Sequence, residues 1–252
     1  MIYSPSELIT ISAARKLHDG CSVFAGVGLP LLAGILAKRM HAPSLQMVVE
    51  GGIIDPEVIP GRLPYSTNEM RLAPRATMLP GITDTFLLAQ RGFLDFGFVS
   101  GAQIDRYGNL NSSVIGPHDR PTVRLPGSGG ANDIASLCRQ TIVLTVHEKR
   151  RLVPAVDFLT SPGFLQGADS RRQAGLVFGK LAAIVTNLAL LGFDEPDRRI
   201  RIDALQPGAS VEQVRDETGF ELVLPRHLTV AEPPSETELA ALRSIDPDGV
   251  WL

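Results

Sequence analysis

Four short apolar runs, Leu45–Val49, Phe96–Ser100, Thr141–Val146 and Leu181–Val185, each stop at a polar residue or a glycine, and this limits the possible architecture most. Runs of this length bounded by turn residues read as buried strands. A shorter strand is expected at Cys21–Ala25. Helical stretches lie between the strands. Leu8, Ile9, Ala13 and Leu17 recur at helical spacing, with Ser6 placed to cap and Gly20 to stop the helix. Pro30 stands where a first helical turn tolerates proline, and Leu31–Met40 continues in good helix formers. Ser210 and Gln213 have the spacing of a capping box, with Gly219 as the stop. Ala231-Glu232-Pro233-Pro234 reads as a linker into a terminal helix. Strands alternating with helices predict an α/β fold, an open and largely parallel sheet with flanking helices, as one domain over residues 1–252.

Charge and composition narrow the function classes. The 24 basic and 27 acidic residues leave a net charge of −3, with no lysine-rich arm or face, so no nucleic-acid partner is expected and a small molecule fits better. Cys21 and Cys138 are too few for a disulfide framework and read as reduced. The five histidines show no ligand spacing, so no metal is expected. The start lacks the pattern of a signal peptide. The apolar run from Val27 to Ala37 is far below the ~20 residues of a membrane helix. A cytoplasmic protein without membrane contact is expected.

Four segments have the means to carry chemistry. The first is Gln46–Ile54, where the carboxylate of Glu50 stands at the carboxyl end of an apolar strand, the edge at which open α/β sheets bind ligands. Gly51 and Gly52 behind it permit close approach and leave amide N–H groups to meet developing negative charge. A strand that simply stops and turns is the other reading. The second is the loop Gly127-Ser128-Gly129-Gly130-Ala131-Asn132, which runs into a helix at Ile134–Leu137 and is able to form an anion nest or oxyanion hole. A flexible turn is the alternative. It is no Walker loop, because no Gly-Lys-Ser/Thr follows, and no nucleophile elbow, because Pro126 precedes it. The third, Gly101–Asn111, reads as a strand end and a turn with Gly108-Asn109 at its tip. The fourth, His147–Arg151, is a charge run past a core strand, either a solvated face or a contact for a phosphate or an acidic partner. Gly26-Val27-Gly28 fails the dinucleotide fingerprint, because Leu31 stands where its third glycine belongs.

Taken in order, Gly28-Leu29-Pro30, Val49-Glu50-Gly51-Gly52, Gly101–Asn111, Gly127–Asn132, His147–Arg151, Leu159–Gly163 and Thr218-Gly219-Phe220 resemble class I coenzyme A transferases over nearly the whole chain, and within them β-type subunits of the glutaconate CoA-transferase kind. The resemblance implies the CoA-transferase fold, an α-type partner subunit, acyl-CoA and carboxylic acid substrates, and coenzyme A as substrate with no permanently bound cofactor. It places Glu50 on the family's nucleophilic glutamate and Gly127–Gly130 on its GxGG element. Gly51, Gly52, Ser128, Ala131 and Asn132 are then the expected substrate or CoA contacts. The family's Glu-Ser-Gly or Glu-Asn-Gly motif is altered here, since Gly51 replaces the serine or asparagine. Attack by such a carboxylate on a thioester gives an acyl-glutamyl anhydride, which CoA thiolate reopens to a glutamyl-CoA thioester. Glutamate side chains ionise well below neutral pH, so no activating base is required. Two other functions remain open: a CoA-ester hydrolase or decarboxylase on the same scaffold, and a non-catalytic partner subunit.

Overall fold

The computed structural model describes residues 2–252. In chain order the elements of the first half are α1 (Pro5–Ala14), β1 (Ser22–Phe24), α2 (Leu29–Met40), β2 (Gln46–Val49), β3 (Ile53–Ile54), α3 (Ile82–Gln90) and β4 (Phe96–Val99). There follow β5 (Gln103–Ile104), β6 (Leu110–Asn111), β7 (Val114–Ile115), β8 (Val123–Arg124), α4 (Ala131–Leu137), β9 (Gln140–Leu144) and α5 (Ser170–Gln173). The last are β10 (Lys180–Val185), β11 (Ala189–Phe193), β12 (Ile200–Leu205), α6 (Val211–Asp216), β13 (Thr229–Val230) and α7 (Glu236–Ile245). Two compact units divide the chain. One comprises Met1–Phe98, Leu137–Arg139 and Pro234–Leu252, the other Val99–Ser136 and Gln140–Pro233.

In the first unit the strand order is β4-β1-β2-β3, with β1 parallel to both β2 and β4 and β3 folded back antiparallel on β2. The connections through α2 and α3 are the crossovers that parallel pairing demands. Helices α1, α2 and α7 pack together. Leu31, Leu32, Ile35 and Leu36 of α2 are buried, each removal from water being favourable by about 1.5–3 kcal/mol. Charge pairs tie the helix ends: Arg243 Nε reaches Glu7 at 2.6 Å, and Arg15 grips both oxygens of Glu238 at 2.7 Å.

The second unit has the order β9-β10-β11-β12-β13. Pairing is parallel at β9/β10 and β12/β13 and antiparallel at β10/β11 and β11/β12. Two hairpins, β5/β6 and β7/β8, stand as separate two-stranded sheets. The fold is the expected α/β type, mixed and mostly parallel with flanking helices.

Ser210 caps α6 as expected, its Oγ accepting from Gln213 N at 3.2 Å, but two other helix boundaries depart from the sequence reading. The first helix is capped by Ser4, not Ser6. Ser4 Oγ accepts from Glu7 N at 3.1 Å while Glu7 Oε2 accepts from Ser4 N at 2.7 Å, and Pro5 fills the first turn. This reciprocal box satisfies two helix-end donors that Ser6 cannot reach. Gly219 does not terminate α6, which ends at Asp216. Its N–H donates to Leu152 O at 2.7 Å, and a Cβ there would lie 2.6 Å from that same oxygen, so the residue is small because another backbone passes against it. No helix among the described residues is long and apolar enough to cross a membrane.

Candidate active site

Glu50 to Gly52 belong to the first unit and Gly127 to Asn132 to the second. Glu50 is half-buried and is the first residue beyond β2, at the carboxyl end of a strand whose Met47, Val48 and Val49 are buried. The strand turns at once: Gly52 N donates to Val49 O at 3.0 Å, and β3 returns from Ile53. That bond corrects the expectation of two available amides, because the Gly52 N–H is spent on closing the turn.

Packing explains both glycines. A Cβ on Gly51 would collide with the carbonyl oxygen of Thr67 and sit 2.6 Å from Asn68 Oδ1. A Cβ on Gly52 would collide with the carbonyl oxygen of Pro80, and its φ of +90° is one that side chains rarely adopt. Two returning segments, 66–69 and 78–81, therefore press directly on the turn after Glu50. The departure from Glu-Ser-Gly thus has a physical cause, since this chain has filled the space of a residue-51 side chain with backbone and with Asn68. Sequence reasoning missed Asn68, and no local pattern marks it; only the fold brings it to Gly51.

In the second unit the glycine-rich loop is anchored at both ends. Gly127 N donates to Ser112 O at 2.8 Å, Ala131 N to Ser128 O at 2.9 Å, and Ile134 N to Gly130 O at 2.9 Å as α4 begins. Gly127 and Gly129 have φ of +94° and +49°, whereas a Cβ on Gly127 would meet nothing within 4 Å. Ser128 Oγ donates to Gly129 O at 2.9 Å. Asn132, though exposed, donates through Nδ2 to Thr160 O at 2.7 Å. Thr160 Oγ1 in turn accepts from Ser112 N at 2.9 Å and meets Ser113 Oγ at 2.8 Å. Thr160 N donates to Leu110 O at 2.8 Å and Leu110 N to Ser161 O at 2.9 Å, so three stretches of the sequence motif, Gly101–Asn111, Gly127–Asn132 and Leu159–Gly163, are joined. Buried Arg171, absent from the sequence reading, adds a clamp by donating to the carbonyls of Pro162, Gly163, Ala135 and Phe178.

The third segment forms the β5/β6 hairpin, with Gly108 at φ +73° and the Asp105 carboxylate accepting from Tyr107 N and Asn109 N. Burial raises that carboxyl above its usual range. The fourth segment divides. His147 is buried, not part of a solvated face; its ring nitrogens meet Thr186 Oγ1 at 2.9 Å and Thr218 Oγ1 at 3.0 Å, and burial lowers its pKa to about 4. Glu148 is held by Arg150 and Arg151, so the run neutralises part of its own charge.

The coenzyme A transferase family model matches residues 7–217, and the chain belongs to that family, with CoA transfer as its class of activity. It is 35% identical to the B subunit of 3-oxoadipate CoA-transferase from Pseudomonas knackmussii, over 97% of this chain and 94% of that one. It is 34% identical to the B subunit of glutaconate CoA-transferase from Acidaminococcus fermentans, over 99% and 95%. The crystal structure of that glutaconate enzyme superposes with a TM-score of 0.92, at 32% identity over 99% of this chain and 97% of that one. The decarboxylase AibA/AibB superposes with a TM-score of 0.84, at 28% identity over 98% and 96%.

Proposed function

We propose that this chain is the nucleophile-bearing, β-type subunit of a two-subunit transferase that moves coenzyme A between an acyl-CoA and a carboxylic acid. The observation that carries the proposal is Glu50, a carboxylate at the carboxyl end of a core strand, on the family's nucleophilic position and followed by a turn that packing holds rigid. Its carboxylate attacks the thioester carbonyl and expels CoA thiolate, leaving an acyl-glutamyl anhydride. The thiolate then attacks the glutamyl carbonyl, releasing the first acid and leaving a glutamyl-CoA thioester. An incoming carboxylate runs both steps in reverse, so no ATP is consumed. The names of the two relatives support a short dicarboxylic substrate, since oxoadipate and glutaconate both carry two carboxylates. Both relatives are named as B subunits, which supports an α-type partner for this chain.

A second reading, decarboxylation or CoA-ester hydrolysis, is favoured by one observation, the close fold match to a decarboxylase. Glu50→Gln separates the two. Under the transfer reading, the variant co-purified with its partner keeps its fold and loses transfer by several orders of magnitude. Loss of decarboxylation or hydrolysis in Glu50→Gln, with no transfer in the wild type, would place Glu50 as a general base instead. Full activity of the chain purified alone would overturn the two-subunit reading.

A further inference from the structure

Two of the hydrogen bonds that leave the glycine-rich loop lead to one residue. At its front, Gly127 N donates to Ser112 O at 2.8 Å, and Ser112 N in turn donates to Thr160 Oγ1 at 2.9 Å. At its back, Asn132 Nδ2 donates to Thr160 O at 2.7 Å. The hydroxyl and the carbonyl of Thr160 thus hold opposite ends of residues 127–132. Packing offers less, since a Cβ on Gly127 would meet nothing within 4 Å. All of these residues belong to the second unit.

Thr160 is itself fixed. It is buried, 7% exposed, and its bond to Leu110 O ties it to β6. Its hydroxyl meets Ser113 Oγ at 2.8 Å and Asn111 Oδ1 at 3.4 Å. Asn111 is fully buried, and its Nδ2 donates to Gln103 Oε1 at 2.7 Å and to Val114 O at 2.6 Å. Ser113 O accepts from Leu125 N at 2.9 Å, two residues before the loop begins. A buried polar cluster beside β6 therefore carries the loop through Thr160, and satisfied networks of this kind rigidify what they touch.

We propose that Thr160 is a positioning residue for the reaction, its hydroxyl holding Ser112 and its carbonyl holding Asn132 so that the loop between them stays set for the acyl-CoA. The inference rests on the transfer reading, with the loop as a substrate-contacting element, and extends it to a residue that acts only through the loop. Gly127 and Gly129 have left-handed φ of +94° and +49°, and glycine is the residue whose backbone is freest to leave such angles. Without an outside anchor the loop's amides would sample other directions, and misplacement of reacting groups by about 1 Å costs up to ~100-fold in rate.

The test uses the purified two-subunit complex, assayed well below the unfolding temperature of each variant. Thr160→Val keeps the shape and the carbonyl but removes the acceptor of Ser112 N, so the front anchor alone is lost. Its kcat should fall about 10- to 100-fold, with KM for the acyl-CoA within about twofold of wild type. Thr160→Ser keeps the hydroxyl and should hold kcat within about threefold of wild type. Val214→Ala truncates a buried residue of α6 and is the stability control: it should lower the unfolding temperature at unchanged kcat. An unchanged kcat in Thr160→Val, or an equal loss in Thr160→Ser or Val214→Ala, would overturn the positioning role. Should Thr160→Val not fold, Thr160→Ala carries the same prediction and the same refutations. Failure of the transfer reading is seen separately. Absence of a covalent adduct on Glu50 in the wild type would overturn that reading, while a kcat loss confined to variants without the hydroxyl, in whichever reaction the complex performs, would still support Thr160.

Discussion

The turn at residues 50–52 and the loop at residues 127–130 are both glycine-rich, yet their glycines answer to different constraints. At Gly51 and Gly52 the constraint is crowding, with carbonyl oxygens of Thr67 and Pro80 standing where side chains would begin. At Gly127 the surroundings are open and the constraint is the backbone angle, φ +94°. The first kind of glycine lets two other segments of the chain pack against the turn that follows Glu50. The second kind shapes only its own loop, which is then pinned from outside by Ser112 and Thr160. Identical letters in a sequence therefore resist substitution for different reasons and to different degrees.

The sharpest way to break this comparison is Gly52→Ala, which combines a backbone collision with a left-handed φ. It should destabilise the chain by about 3 kcal/mol or more, read as a fall in the denaturation midpoint or as insoluble expression. Gly51→Ala has the collision without the unfavourable φ and should cost about 1–3 kcal/mol in the same measurement. Gly127→Ala meets no neighbour, so only the left-handed conformation is penalised, at about 1–2 kcal/mol. Equal losses at Gly52 and Gly127 would erase the distinction between crowding and backbone angle.

A smaller effect concerns acid stability. His147 is buried with its pKa lowered from 6.5 to about 4, so the unfolded chain binds a proton that the folded chain refuses. Its contribution is fully present above pH 6.5 and is lost as pH falls toward about 4. His147→Gln should narrow the difference in unfolding temperature between pH 7 and pH 4.5, and an unaltered difference would remove His147 from the account.

Much of this was legible in the residues. Apolar runs located β2, β4, β9 and β10 within a residue or two, because burial on both faces leaves an unbroken run. The strands β11 and β12 escaped notice: β11 is interrupted by Gly192, required by the Asp203 carboxylate against it, and β12 alternates buried Ile200 and Ile202 with charged Arg201 and Asp203. The Ser4–Glu7 box was present in plain view but displaced by the later serine at position 6. The place of Glu50 directly after a buried strand could be read from the run Leu45–Val49. Asn68 and Arg171 could not, since Asn68 meets Gly51 from 17 positions away and Arg171 bonds residues seven to 36 positions away, and only folding supplies that proximity.

The central claim is that Glu50 takes up acyl and CoA groups covalently. Incubating the wild-type complex with an acyl-CoA and no acceptor, followed by borohydride or hydroxylamine and peptide mass analysis, tests it directly. The account predicts a modification confined to Glu50, dependent on acyl-CoA and absent from Glu50→Gln. An unmodified Glu50 in a complex that still transfers CoA, or transfer surviving in Glu50→Gln, would contradict it.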